Sequence, residues 1–172
     1  MDASSQFKDS LPTTPESLFA VLDALAIDYV THHHSPLRTV EDSKANRGDM
    51  PGIHIKNLYL RDRKKRNFLI VAQEDRVIDL KNLEQKIGCD RLSFGSADRL
   101  FEMLGVRPGA VSPLTVINDS DHKVSLLLDS ALQTGDRIYA HPLVNDMTIG
   151  ITGPGLQQFL AHTGHQPICL DF

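Results

Sequence analysis

The stretch Gly48 to Val71, GDMPGIHIKNLYLRDRKKRNFLIV, decides the fold. Two runs of β-branched, aromatic and leucine residues, 53–60 and 67–72, are set off by Pro51-Gly52 and by the polar segment 61–66. That pattern predicts a strand, a basic turn and a second strand. Side chains alternate across a strand, so His54, Lys56, Leu58 and Leu60 share one face, and Ile53, Ile55, Asn57 and Tyr59 the other. Both faces are largely apolar, which predicts a strand covered on two sides with Lys56 inside it. An unpaired buried ammonium is costly, so Lys56 must shed its charge, hold an anion, or carry its head to the sheet edge along a buried stem.

The chain around this hairpin has 172 residues, enough for a single domain with a substantial core, and its 41% apolar and 23% charged residues are ordinary for a globular protein. No apolar run approaches the roughly 20 residues that cross a bilayer. The start, MDASSQFKDSLPTTP, lacks the features of a signal peptide, and Cys89 and Cys169 lie far apart. A cytoplasmic protein with reduced thiols is expected. The formal net charge of −4 argues against a general nucleic-acid coat. Yet Arg61, Arg63, Lys64, Lys65 and Arg66, five of the 18 basic residues, fall within six positions at the hairpin tip. A local basic patch on an acidic body suits docking of one defined piece of RNA through Arg63–Arg66; a turn kept soluble by its charge fits as well.

Residues 1–12 read as a mobile tail. Thr14-Pro15-Glu16 then supplies an N-cap, a proline in the first turn and an early acid, and Leu18, Val21, Leu22 and Leu25 recur at helical spacing, which predicts a helix over 15–26. Residues 27–34 read as a strand, and Thr39-Val40-Glu41-Asp42 opens a short helix to about Ala45. Beyond the hairpin, helices are expected over 79–87, closed by Gly88, and from Ser96 through Leu104, closed by Gly105, with 93–96 as a turn. Strands are expected at 114–118, 124–128, 137–141, 147–151 and 167–170, a helical turn at 129–133, and a last helix from Gly153-Pro154 to Gly164. About seven strands without regular βαβ alternation predict an α+β fold: a mixed, mostly antiparallel sheet with packed helices.

Candidate chemistry is sparse. On a strand, His33 of the triplet His32-His33-His34 points away from its neighbours, and no nearby acid or cysteine completes a set, so a polar strand end fits better than a metal site. No serine-hydrolase elbow, zinc-protease motif or phosphate loop is present, and no cofactor is expected. His141, between a strand and a proline bend, is a candidate base or positioning residue. Gly105–Pro113, with two glycines and two prolines in nine residues, makes a stiff loop able to aim backbone N–H groups at an oxyanion, or an ordinary helix-to-strand connection.

The run Lys56-Asn57-Leu58-Tyr59-Leu60-Arg61-Asp62-Arg63-Lys64, preceded by Pro51-Gly52, resembles the signature of the YbaK/prolyl-tRNA-synthetase-associated editing domains. The resemblance extends over roughly 14–171 and is closer to the free-standing alanyl-tRNA(Pro) deacylases than to the cysteinyl branch. It implies a YbaK-like fold and a hydrolase, acting in trans, that deacylates mischarged Ala-tRNA(Pro). Lys56 would hold the RNA end, Asn57 would lie beside it, and Gly109-Ala110-Val111-Ser112-Pro113 would match the family loop that lines the aminoacyl pocket. His141 coincides with a histidine the family places there. The implied partners are aminoacylated tRNA(Pro) and prolyl-tRNA synthetase. Open alternatives are a deacylase preferring Cys- or Ser-tRNA, a non-catalytic nucleic-acid binder using hairpin 61–66, a small-molecule binding module, and a regulatory partner of a synthetase.

Overall fold

Local sequence sets most element ends in the computed structural model, which describes residues 2–37 and 39–172. The Thr14 hydroxyl accepts the Ser17 N–H and Pro15 fills the first turn, so α1 spans Pro15–Ala24 with Leu18 and Leu22 wholly buried. β1 (Tyr29–His33) leads to α2 (Val40–Asn46), whose start is a reciprocal capping box between Thr39 and Asp42. β2 (Ile53–Arg61) and β3 (Asn67–Gln73) form the expected antiparallel hairpin, with Lys56 opposite Ala72 and Leu60 opposite Phe68. Then come α3 (Leu80–Ile87), β4 (Ser93–Phe94), α4 (Ala97–Leu104), β5 (Val124–Asp129), β6 (Ile138–Ala140), β7 (Met147–Ile151), α5 (Gly153–Thr163) and β8 (Ile168–Leu170).

The strands form one mixed sheet in the order β1-β7-β6-β2-β3-β5-β8, with β4 also on β2. β1–β7, β6–β7, β2–β3 and β2–β4 pair antiparallel; β2–β6, β3–β5 and β5–β8 pair parallel. This is the α+β architecture expected from the pattern. One face packs Tyr59, Leu69, Val71 and Ile149 against Leu18 and Leu22 of α1, Leu100 and Leu104 of α4, and Phe159 of α5. The other packs Leu60, Phe68, Ile70 and Leu127 against Leu83 of α3. β2 is therefore covered on both sides over its second half.

The sheet parts beside β2. β2 is laddered to β6 only through Ile53 and His54, and to β4 only through Leu60 and Arg61, so the edge of residues 55–59 on that side carries no strand.

Three expectations are corrected. Residues 114–118 are buried but not a strand: Pro113 and the Ser112 cap, whose hydroxyl accepts the Leu114 N–H, start a 3-10 helix over Pro113–Asn118. Residues 93–94, read as a turn, form β4 because Gly95 donates its N–H to the Tyr59 carbonyl and extends the hairpin edge. The expected tail is seated from residue 2 onward. Ser5–Ser10 is a 3-10 helix, Ala3 is buried, the Asn145 N–H donates to the Ala3 carbonyl, and Ser5 donates its N–H and hydroxyl to the Asp146 carboxylate.

Candidate active site

The bare edge of β2 forms the back of a cleft of about 270 Å³. Lys56 and Asn57 from β2, Gly109 and Val111 from the loop after α4, His141 from the end of β6, and Val40 and Ser43 from α2 line it. Four segments thus meet where the sheet opens, two of them neighbours in the chain and two far from those and from each other.

Lys56 is half-buried, and its Nζ donates to the backbone carbonyl of Arg76 beyond the end of β3. The ammonium therefore rests on a neutral acceptor at the sheet edge while its residue lines the cleft, the edge-seeking arrangement among those weighed above. Arg76 is itself fixed, because its guanidinium holds the buried Asp129 carboxylate, with Nε to Oδ2 at 2.9 Å. Asn57 keeps its side-chain oxygen buried without a protein partner among the described residues. Such an orphaned acceptor is a feature of binding sites more than of cores.

The loop divides its labour. Arg107-Pro108-Gly109-Ala110 is a tight turn, closed by the Ala110 N–H on the Arg107 carbonyl at 3.1 Å, with Gly109 at φ +97°. A proline followed by a residue of positive φ is the chemistry of a type II turn, and glycine takes that conformation without strain. Gly109 and Val111 face the cleft, and among the described residues their N–H groups have no protein acceptor. Ala110, Ser112 and Pro113 are not at the cleft: all three are buried, Ala110 in the core and Ser112 capping the 3-10 helix and accepting the Thr115 hydroxyl through its carbonyl. The three residues expected at the pocket thus lie beneath the turn, and only Gly109 and Val111 of the loop reach the cleft.

His141 donates its Nδ1–H to the Met147 carbonyl at 2.8 Å. This tautomer leaves Nε2 with its lone pair and without a protein partner among the described residues. Burial holds the imidazole below the ordinary histidine range, outweighing the pull of the Met147 carbonyl in the other direction, and the nearby His34 adds to the lowering. His141 therefore stands neutral, with an acceptor nitrogen, on the cleft wall.

A second compartment of about 310 Å³ adjoins the first and shares Leu37, Ser43, Ile55, Asn57 and His141 with it. His32, His33, His34 and His54 line it with Tyr139 and Thr148. All three histidines of the triplet thus serve one pocket, and strand alternation alone does not show it. His34 accepts the Thr148 hydroxyl at Nε2 while its Nδ1–H bonds the Ser35 carbonyl, so it is a strut. Sequence reasoning also missed Val40 and Ser43; the signal was present, since the Thr39–Asp42 box fixes the helix phase and places these two one turn apart.

The basic tip is less free than its composition suggests. Arg66 clamps the buried Asp62, Nε to Oδ2 at 2.7 Å, and Lys64 lies 3.6 Å from Asp90. Burial would raise the Asp62 carboxyl, but the Arg66 N–H and guanidinium with the Asp90 N–H outweigh it and hold the group below its usual range. Arg63 and Lys65 remain exposed with no ion pair among the described residues. Counted along β2, the tip begins roughly 20 Å from Lys56, too far to touch a group held in the cleft.

A small cleft at an open sheet edge, walled by a lysine, a neutral histidine and a turn with unengaged N–H groups, defines an α+β domain of the editing type. Residues 34–159 match the aminoacyl-tRNA editing domain model, and the chain belongs to that family. It is 36% identical over 151 residues to the prolyl-tRNA editing protein ProX of Acetoanaerobium sticklandii, covering 87% of this chain and 92% of that protein. It is 35% identical over 153 residues to prolyl-tRNA synthetase associated domain-containing protein 1 of Danio rerio, covering 88% and 83% respectively. A solved structure of a candidate trans-editing enzyme for prolyl tRNA synthetase shares the fold with a TM-score of 0.65 at 20% identity, covering 91% of this chain and 94% of that one.

Proposed function

We propose that this protein is a trans-editing hydrolase that removes alanine from mischarged tRNA(Pro). The observation that carries the reading is the convergence of Lys56, His141 and the Gly109 and Val111 N–H groups on one small cleft. An aminoacyl ester on a ribose hydroxyl is already activated, so the site needs to hold it, order a water and stabilise the developing oxyanion. Lys56 leaves the Arg76 carbonyl for the phosphate or ribose of the RNA end, a stronger, charge-assisted contact. The N–H groups of Gly109 and Val111 receive the ester carbonyl oxygen. Water held by Nε2 of His141 attacks the carbonyl carbon; the ribose oxygen leaves with a proton, and free amino acid and tRNA are the products. His141 positions this water, and the ribose's own neighbouring hydroxyl is the second proton carrier in reach of the leaving oxygen.

Selection is by exclusion. On this reading the walls are Val40, Ser43 and Val111 of the cleft lining, which would admit a methyl side chain and turn away the pyrrolidine ring of the cognate amino acid. Binding alone separates side chains differing by one methylene by only about 1–3 kcal/mol, which is why a second, smaller site is useful. The name of the Acetoanaerobium relative supports tRNA(Pro) as the carrier. The test is a deacylation panel offering Ala-, Cys-, Ser- and Pro-tRNA(Pro) to the purified protein. Alanine should be released fastest and proline not at all. Fastest release of cysteine or serine would move the protein to another branch, and tight binding of uncharged tRNA with no ester cleavage would make it a non-catalytic binder.

A further inference from the structure

Lys56 has an acid within reach and does not pair with it. In the β2–β3 register Lys56 stands opposite Ala72 and Ile55 opposite Gln73, and one step further the Glu74 N–H donates to the His54 carbonyl at 2.9 Å. Side chains alternate along each strand, so Lys56, Ala72 and Glu74 project from one face, with Lys56 and Glu74 as diagonal cross-strand neighbours. Such neighbours lie about 7–8 Å apart, a span that two long side chains of opposite charge can bridge. Both residues line the ester cleft, and Glu74 is the one carboxylate among the described residues of its wall.

Two other contacts keep these charges apart. The Glu74 side chain, only 8% exposed, is taken by the guanidinium of Arg47, Nη1 to Oε1 at 2.6 Å. Arg47 is delivered by the end of α2, where its N–H closes on the Ser43 carbonyl at 2.9 Å. Lys56, for its part, rests on the neutral Arg76 carbonyl and joins no ion pair among the described residues. A nearly buried carboxylate is costly to leave unpaired, so with Arg47 gone the partner in reach of Glu74 is Lys56. The Lys44–Asp75 contact that also ties α2 to this turn, 3.1 Å long and exposed on both sides, is a surface pair of the kind that contributes little.

We propose that Arg47 is a positioning residue for the ester site: by occupying Glu74 it prevents a Lys56–Glu74 ion pair and leaves the ammonium available to the RNA end. The inference rests on the reading of the cleft as the ester site. A lysine locked on a carboxylate must break that pair before it meets a phosphate, whereas one resting on a carbonyl exchanges a neutral acceptor for a charged one. Apparent affinity is reduced by the fraction of molecules in which the lysine is available. Because Glu74 is nearly buried, its pair with Lys56 should outlast an exposed one and hold about nine-tenths of the molecules, which raises KM about tenfold.

The test compares Arg47→Gln, which frees Glu74, with the double variant Arg47→Gln/Glu74→Gln, which leaves no carboxylate behind. In the deacylation assay Arg47→Gln should raise KM about tenfold with kcat nearly unchanged, and the double variant should return KM to within about twofold of the parent. The Nζ NMR signal of Lys56, read without substrate, should move in Arg47→Gln and move back in the double variant. A thermal melt reads the fold of each. Should Arg47→Gln fail to fold, Arg47→Lys, which replaces the planar fork by a point charge, should show a smaller rise in KM, again reversed by Glu74→Gln. The proposal is overturned if KM stays raised in the double variant, which would mark Arg47 as an RNA contact itself, if Arg47→Gln lowers Tm with KM unaltered, which would mark a clip for the fold alone, or if the Lys56 signal stays in place. Absence of hydrolysis with every aminoacyl-tRNA would end the reading of the cleft, and the Lys56 signal would then decide by itself whether Arg47 keeps the two charges apart.

Discussion

Replacing Lys56 by methionine removes the ammonium and keeps an unbranched stem, which separates the charge from the packing. In the free protein the loss is a single hydrogen bond, Nζ to the Arg76 carbonyl, at a half-buried position. Such a bond is worth about 1 kcal/mol net, and in a domain of this size that lowers Tm by only about 2–4 °C. On the proposed mechanism the loss during reaction is larger, because there the Lys56 contact to the RNA end is charge-assisted and fixes the ester beside the Gly109–Val111 turn. Removing one preorganised electrostatic contact of this kind costs about 10²–10³ in rate, or roughly 2.7–4 kcal/mol. Single-turnover release of radiolabelled alanine from Ala-tRNA(Pro), with enzyme in excess, reads the chemical step directly, and a thermal melt run alongside reads the fold. Lys56→Arg should recover little, since a planar guanidinium is bulkier and does not replace a compact point charge. A methionine variant that still deacylates within about threefold of the parent would remove Lys56 from the mechanism.

His141 should titrate low: burial disfavours its charged form, so the rate, corrected for spontaneous hydrolysis, should stay level as pH falls through the ordinary histidine value of 6.5 and decline only below it. The unfolded chain then binds the proton more tightly than the folded one, so stability also falls as pH drops below that value; an activity inflection at or above it would contradict the assignment. At the hairpin, Arg63→Gln with Lys65→Gln should raise KM with a small change in kcat and an effect that fades at high salt, whereas Arg66→Ala should chiefly lower Tm because Asp62 loses its clamp. An unaltered KM in the double variant would make the patch a solubility feature. Ser112→Ala should cost about 1 kcal/mol of stability through the lost cap and leave kcat/KM of the folded protein unchanged; a large loss of turnover at unchanged Tm would place Ser112 in the chemistry.

The β2–β3 hairpin was legible in the sequence because two-residue alternation and a polar turn are local signals, as was the Thr39–Asp42 box that starts α2. Leu114–Asn118 was not, because a short apolar run looks the same in a buried strand and in a 3-10 helix; only the proline and serine before it tell them apart. The seated N-terminus was hidden for a different reason. Its partners, Asn145 and Asp146, lie about 140 residues away, and no local pattern reports on them. That Lys56, His141 and the loop are candidates could be read from the sequence; that they meet at one cleft, and which loop residues face it, could not. Backbone direction through the Pro108-Gly109 turn sends Val111 outward and Ala110 inward, and that follows from the turn geometry rather than from residue type. The aromatic compartment was invisible at the sequence level, since His32, His54 and Tyr139 share a face only through the registers of β1, β7, β6 and β2.

The claim on which the account turns is that an ester carbonyl sits at the bare edge of β2, between Lys56 and the turn at Gly109. A crystal structure with a non-hydrolysable, amide-linked 3′-alanyl-adenosine bound measures this directly. The carbonyl oxygen should lie within hydrogen-bond distance of the Gly109 or Val111 N–H, with the alanyl methyl toward Val40 and the Lys56 amine moved off the Arg76 carbonyl. An analogue bound with its carbonyl away from that turn, while Lys56 still rests on Arg76, would contradict the account.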